Sequence, residues 1–189
     1  SSSIKSSDAI KLVAQYSSTE YTLLILDENA INPGQFCLDR FIQVAENTNA
    51  ALVYSDYYEA EKEKLVAHPV IDYQEGSLRD DFDFGKLLFV KTDLIKQIVS
   101  AEQNNFKFAG LYNLRLKLSQ LGKLYRIPEL LYTVESTEDF GTEEKHFSYV
   151  DPKNREVQIE MEKAVTQHLI DIGAVSYTHL RAHETVLDI

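Results

Sequence analysis

The chain predicts an α/β fold, with a mostly parallel, doubly wound sheet, helices on its faces and a long helix near its C-terminus. Tyr21 to Leu26 (YTLLIL) and Ala50 to Tyr54 (AALVY) are short runs of strand formers, each preceded by a segment with apolar residues at helical spacing. A helix, strand, helix, strand order calls for crossover connections between parallel strands. Both runs empty into polar and acidic residues, Asp27-Glu28-Asn29 and Ser55-Asp56, which puts both strand ends on the side where open α/β sheets gather ligands. With 189 residues, 44% hydrophobic, and only 7 Gly and 4 Pro, the composition is that of one globular domain with a substantial core, not of a disordered chain.

Taken in order, Ser7 is a helix N-cap before DAIKLVAQY, because its hydroxyl can accept a free amide hydrogen of the first turn. The strand from Tyr21 follows, then a helix from Gln35 to Asn47 in which Phe36, Leu38, Phe41, Ile42, Val44 and Ala45 recur at helical spacing. After the strand ending at Tyr54, the charged stretch from Tyr57 to Lys64 reads as an exposed hairpin turn. Leu65 to Ile71 reads as extended, with Pro69 restricting the residue before it. YQEGSLRDDFDFG (Tyr73 to Gly85) is acidic, aromatic and irregular, the composition of a loop that carries function. Lys86 to Val90 is a strand and Thr92 the N-cap of DLIKQIVSAE. Leu111 to Leu121 is an amphipathic helix with Leu111, Leu114, Leu118 and Leu121 on one face, closed by Gly122. Leu124 to Val134 returns as extended chain interrupted at Pro128. EDFGTEEKHFSYVDP reads as a loop, after which Asp151 caps and Pro152 opens a long helix that ends at Gly173, with Val157, Met161, Ala164, Val165, His168 and Leu169 as its docking stripe. There is no internal repeat and no second domain.

The net charge of −11 argues against nonspecific nucleic-acid binding and against adhesion to anionic lipid, so a phosphate-bearing ligand needs a metal or a local basic patch. The single cysteine, Cys37, excludes an intrachain disulfide framework, fits a reducing, cytoplasmic compartment, and belongs to an apolar helical pattern that marks it for packing. No apolar run approaches the roughly 20 residues needed to span a bilayer. The chain opens SSSIKSS without an initiator Met, its one methionine being Met161, so the natural N-terminus is expected upstream. Residues 176–189 (SYTHLRAHETVLDI) resemble a translated sequencing adapter and are set aside as a non-native tail.

LLILDENAINPG, the helix LYNLRLKLSQLG and the following LYRIPELLYTVE, in this order and spacing, resemble three landmarks of the family-2 inverting glycosyltransferases of GT-A fold. These are a strand of the type "fLDaDD" ending in a metal-binding D-x-D, a later helix "EDydLwlRl", and a strand "ip.pLy.y". The resemblance covers roughly Ser7 to Glu135 and lacks the first strand and helix of that fold, where such enzymes hold the nucleotide base. YSDYY, HPVIDYQEGSLRDDFDFG and FSYVDPKNREVQIEME further suggest a bacterial subgroup. The resemblance implies a partial GT-A domain over residues 1–150 with the helix of residues 151–175 packed on it.

The resemblance also implies a nucleotide-sugar donor, a glycan or other hydroxyl acceptor, and Mg²⁺ or Mn²⁺. Breaking the bond from the sugar C1 to the pyrophosphate oxygen puts negative charge on the leaving group, which a divalent cation stabilises. Hard ions of this kind take few carboxylates and keep waters or phosphate oxygens. Asp27 and Asn29 match the two D-x-D positions by spacing, with a neutral amide where the family usually has a second carboxylate. They also suit a plain turn before Pro33-Gly34, hydrogen-bonding their own backbone. Asp56 and the loop carboxylates Asp80 and Asp81 are supplementary ligands, and Asp56 and Tyr57 are candidates for contact with substrate.

An inverting transfer needs a base to take the acceptor's proton. In the family this is the acid of the "ED" pair opening the later helix, where this chain reads Gly110-Leu111. Asp80 or Asp81 in LRDDFDFG is then the candidate base. Arg79 either grips a phosphate or sugar carboxylate bidentately or pairs within the loop with Asp81 or Asp83. Two functions follow: metal-assisted glycosyl transfer by the longer protein, the stretch itself being inactive, or a GT-A-like module that has lost catalysis and recognises glycan or protein. No G-x-G-x-x-G or Walker-type loop occurs, so dinucleotide and P-loop roles have no support.

Overall fold

The computed structural model describes residues 3–61, 64–135 and 155–174. The chain order is α1 (Ser7–Tyr16), β1 (Tyr21–Ile25), β2 (Ile31–Pro33), α2 (Cys37–Thr48), β3 (Leu52–Glu61), β4 (Lys64–His68), β5 (Leu87–Lys91), α3 (Thr92–Ala101), α4 (Gly110–Leu121), β6 (Leu124–Glu135) and α5 (Arg155–Asp171). The expected loop over residues 138–152, the Asp151 cap, Pro152 and the tail 176–189 lie outside the described residues. No helix among those described is long and apolar enough to cross a membrane.

The α/β class holds, but the sheet is mixed and not mostly parallel. Its order is β1-β5-β3-β6-β2, with β4 pairing on the outer half of β3. Among the described residues only β3 and β6 run parallel; β1/β5, β3/β5, β3/β4 and β2/β6 are antiparallel. β1 and β3 do point the same way, because both lie antiparallel to β5, yet they are not neighbours. β5 inserts between them because LLFV is the most apolar strand of the chain and all four of these residues are buried, whereas β1 is only half-buried and takes the edge.

Period 2 divides the strand side chains between two covered faces. On one face Phe89 of β5 stacks on Tyr21 at 4.9 Å and lies 5.7 Å from Phe41 of α2. On the other, Leu88 and Val90 face Leu114 and Leu118 of α4. Cys37, at the start of α2, is fully packed, and burial pushes its thiol pKa up, so it is a core residue.

Three local readings move. The charged stretch expected as an exposed turn from Tyr57 to Lys64 continues β3 to Glu61 and begins β4, because Tyr57 and Tyr58 pair with His68 and Ala67 across the ladder. The cap of α1 is Ser6, whose Oγ accepts from the Ala9 N–H at 3.2 Å, while the Ser7 hydroxyl accepts from the Phe106 N–H at 2.9 Å. Thr92 likewise sits inside α3, and its hydroxyl meets Thr22 Oγ1 at 2.7 Å. β2 was hidden behind INPG: its Pro33 lacks a ladder donor, which an edge strand tolerates.

α5 docks on α4 through Met161, Ala164 and Val165, with Phe106, Tyr112 and Leu116 opposite. α4 has no capping side chain of its own. Glu160 of α5 supplies one from a distance, accepting from the N–H groups of Lys107 at 3.0 Å, Phe108 at 2.7 Å and Ala109 at 3.1 Å. A carboxylate there also meets the positive end of the helix dipole.

Candidate functional site

A cavity of about 210 Å³ opens between the sheet and α4. Its floor is aliphatic, with Leu24, Leu26, Leu52 and Leu88 from the strands facing Leu114 and Leu118. Its polar groups are Lys5, Asp80, Asp83 and Arg115. The loop over residues 72–86 forms one wall, and Phe82, Phe84, Tyr73 and Tyr54 hold it down by edge and tilted ring contacts at 4.4 to 6.4 Å. Gly85 closes the loop with φ +75°. A Cβ there would meet Tyr132 Oη at 2.6 Å, and that hydroxyl accepts from the Lys86 N–H at 2.7 Å.

α4 clamps the loop from below. Tyr112 Oη donates to the Leu78 carbonyl at 2.5 Å, and Arg115 donates to the carbonyls of Ser77 at 3.4 Å and Arg79 at 2.9 Å. Tyr112 and Arg115 are one helical turn apart, so one face of α4 grips three successive carbonyls and sets Asp80 at the cavity. Arg115 is buried with its guanidinium 4.8 Å from the Tyr112 ring centroid and 5.8 Å from those of Tyr73 and Phe84. Burial lowers its pKa, and burial likewise raises the Tyr112 phenol to about 12.

Asp27 emerges from β1 beside the far end of this loop. Leu26 N–H donates to the Lys86 carbonyl at 2.9 Å, and Lys86 Nζ lies 3.3 Å from Asp27 Oδ2. Asp27 Oδ1 accepts the Asn29 N–H at 2.9 Å, the turn-forming contact. Burial pushes the Asp27 carboxyl up, but the Asn29 hydrogen bond and the Lys86 ammonium outweigh it and hold the group below its ordinary value. Asp27 and the loop are therefore joined through Lys86, and Leu26, Asp80 and Asp83 border one cavity.

The remaining candidates separate. Arg79 is exposed and pairs bidentately with Asp81 at 3.0 Å on both contacts, the intraloop alternative; this pairing lowers the Asp81 pKa. Asp83 accepts from the Gly85 N–H at 2.8 Å and meets His68 Nε2 at 2.9 Å. Asp56 lies inside the fold with both oxygens on Arg126 at 2.8 Å and one also on the Val70 N–H at 3.1 Å, which makes it a staple between β3, β6 and the chain after β4. Tyr57 is buried, with its ring stacked on His68 at 4.5 Å and on Tyr132 at 5.2 Å, so neither face is open to a sugar. Among the described residues no three carboxylates, imidazoles or thiols converge as a metal cage. An ion held chiefly by a ligand's phosphates needs only one or two carboxylates, and Asp27, with its side chain 16% exposed, offers one.

Gly110 and Leu111, where the resemblance places an acid pair, face the N-terminal segment. A Cβ on Gly110 would stand 2.3 Å from Ser7 N, 2.4 Å from Ser6 C and 2.8 Å from Lys5 O. Leu111 N–H donates to that same Lys5 carbonyl at 3.1 Å. A side chain at position 110 is therefore excluded by backbone. The carboxylate at the start of α4 is Glu160. Burial raises its pKa, and the three N–H donors more than reverse that.

Sequence reasoning missed Lys86, Tyr112, Arg115 and Glu160. Lys86 is the first cation after the three carboxylates Asp80, Asp81 and Asp83, and Arg115 is the one charged residue between Leu114 and Leu116 on a buried helix, so both left a signal. Glu160 left none, because its partners lie about 50 residues away. No protein-family model matches the chain, and no curated protein matches it.

Proposed function

We propose that the chain is the catalytic portion of a glycosyltransferase that moves a sugar from a nucleotide-sugar to a hydroxyl on a glycan or similar acceptor. The observation that carries the reading is the meeting of β1 and the acidic loop: Lys86 Nζ lies 3.3 Å from Asp27 Oδ2, while their chain neighbours Leu26 and Gly85 line the same cavity as Asp80. Order and spacing of LLILDENAINPG, LYNLRLKLSQLG and LYRIPELLYTVE support it further. Asp27 would hold Mg²⁺ or Mn²⁺ together with phosphate oxygens, turning Lys86 toward the same phosphates. Bound there, the ion would stabilise the charge that develops on the leaving pyrophosphate.

Of the two loop acids, Asp80 is the better base. Asp81 is committed to Arg79, whereas Asp80 borders the cavity and is steadied by the Tyr112 and Arg115 clamp. Calorimetry of the full-length protein with UDP and GDP, with and without Mn²⁺, tests the reading: binding of a nucleoside diphosphate strengthened by Mn²⁺ and weakened by Asp27→Ala is expected. Absence of binding to both nucleotides sinks it. Transfer that survives Asp80→Ala removes Asp80 as the base.

A further inference from the structure

A second cleft, of about 380 Å³, lies between α3, α4 and α5. It is larger than the leucine-floored cavity and falls within the range of small-molecule sites. The two use different faces of α4: Leu111, Leu114, Arg115 and Leu118 border the first, Lys117, Gln120 and Leu121 the second.

The lining chemistry is unusual in one respect. Carboxamides reach it from separate elements: Gln97 from α3, Gln103 and Asn104 from the chain after it, Gln120 from α4 and Gln167 from α5. The ionised groups are already answered from within. Lys117 pairs with Asp171, which also accepts from Gln167 Nε2 at 2.8 Å. Glu102 accepts from the Asn104 N–H at 2.8 Å and from Asn113 Nδ2 at 2.6 Å. Gln120 Nε2 lies 2.7 Å from His168 Nδ1, so that buried imidazole is already partnered. Gln97 and Gln103 are exposed at the cleft, and their amides hold no hydrogen bond to any described residue.

This arrangement selects by exclusion. An anion would meet Glu102 and Asp171 with no unpaired cation to receive it. A cation would find both carboxylates already engaged, Asp171 by the Lys117 ammonium and Gln167, and Glu102 by Asn104 and Asn113. An apolar ligand would touch only Ile98, Ala101 and Leu121. What remains is a neutral group that both donates and accepts, and neighbouring hydroxyls on a ring match paired carboxamide N–H and C=O groups. We infer that this cleft binds a neutral saccharide, at a site separate from the Asp27 and Asp80 region and independent of the transfer reading.

The test is a ¹⁵N-resolved titration of the full chain with lactose, maltose and sucrose, following the side-chain NH₂ signals of Gln97, Gln103 and Gln167. At least one sugar is expected to move them saturably. Gln97→Ala/Gln103→Ala, which changes only exposed side chains, should weaken that sugar about tenfold through the loss of two modest hydrogen bonds, while the backbone spectrum elsewhere stays unchanged. No shift with any of the three sugars at high millimolar concentration overturns the inference. So does a shift that the double variant leaves intact, or one produced by triglycine and not by sugar, which would assign the cleft to peptide amides.

Discussion

Gly110→Ala puts sterics against helix propensity, and the two give opposite signs. Replacing Gly by Ala in a helix gains up to about 1 kcal/mol where space allows. Here the new Cβ would stand 2.3 Å, 2.4 Å and 2.8 Å from Ser7 N, Ser6 C and Lys5 O. All three are backbone atoms, held by the Ser7 N–H to Phe106 carbonyl bond at 2.7 Å and the Leu111 N–H to Lys5 carbonyl bond at 3.1 Å. They cannot rotate away as a flexible side chain would, so the overpacking cost belongs at the top of the usual range, about 3 kcal/mol. The net is a loss of roughly 2 kcal/mol, or a Tm lower by about 4–8 °C for a chain of this size. Gly110→Asp, which restores an acid where the family resemblance expects one, should cost at least as much and bring no activity. Thermal unfolding followed by circular dichroism decides it. A Gly110→Ala protein as stable as the parent would refute the close approach and reopen position 110 to an acid.

Further perturbations follow from individual contacts. Glu160→Ala removes the acceptor for three N–H groups at the start of α4 and should cost about 2 kcal/mol in urea unfolding at neutral pH. Because the folded pKa of Glu160 is depressed, the parent's advantage is complete above the ordinary glutamate value near 4.3 and disappears as pH falls through the folded value; a difference that stays constant down to acid pH contradicts the capping role. Arg126→Ala strands Asp56, whose side chain is 8% exposed, and should destabilise by about 3–5 kcal/mol. A loss below about 1 kcal/mol would show that Asp56 is solvated and available to ligand. Lys86→Met should raise the Asp27 carboxyl pKa, since burial then opposes fewer stabilising contacts; ¹³C titration showing no rise would uncouple Asp27 from the loop.

Much of the fold could be read from local pattern. β1, α2, α3, α4 and α5 fall within a few residues of the periodic segments that predict them, and the α5 stripe buries Ala164 and His168 as expected. Strand adjacency could not be read. The helix between β1 and β3 suggested a crossover to a neighbouring parallel strand, but nothing local reveals that β5, arriving 35 residues after β3 begins, will claim the gap. The site divides in the same way. Asp27, Arg79, Asp80 and Asp81 stand out as charges at a strand end or in an irregular loop. Whether each is free or spoken for depends on partners such as Lys86, which sequence distance hides. Asp56 and Tyr57 were misjudged for a related reason: the polar residues after a short apolar run looked like its end, whereas the strand continues and draws them into the interior.

The remote cap on α4 also orders events during synthesis. Residues 107–109 leave the ribosome about 50 residues ahead of the glutamate that completes them. Until it emerges, those three N–H groups have only water to donate to, and the entry to that helix frays accordingly. The Tyr112 and Arg115 grip on the acidic loop begins three residues beyond that entry, so the loop carrying Asp80 gains its full support once the C-terminal helix has arrived. A nascent chain halted before residue 160 would hold a formed sheet beside an unset loop.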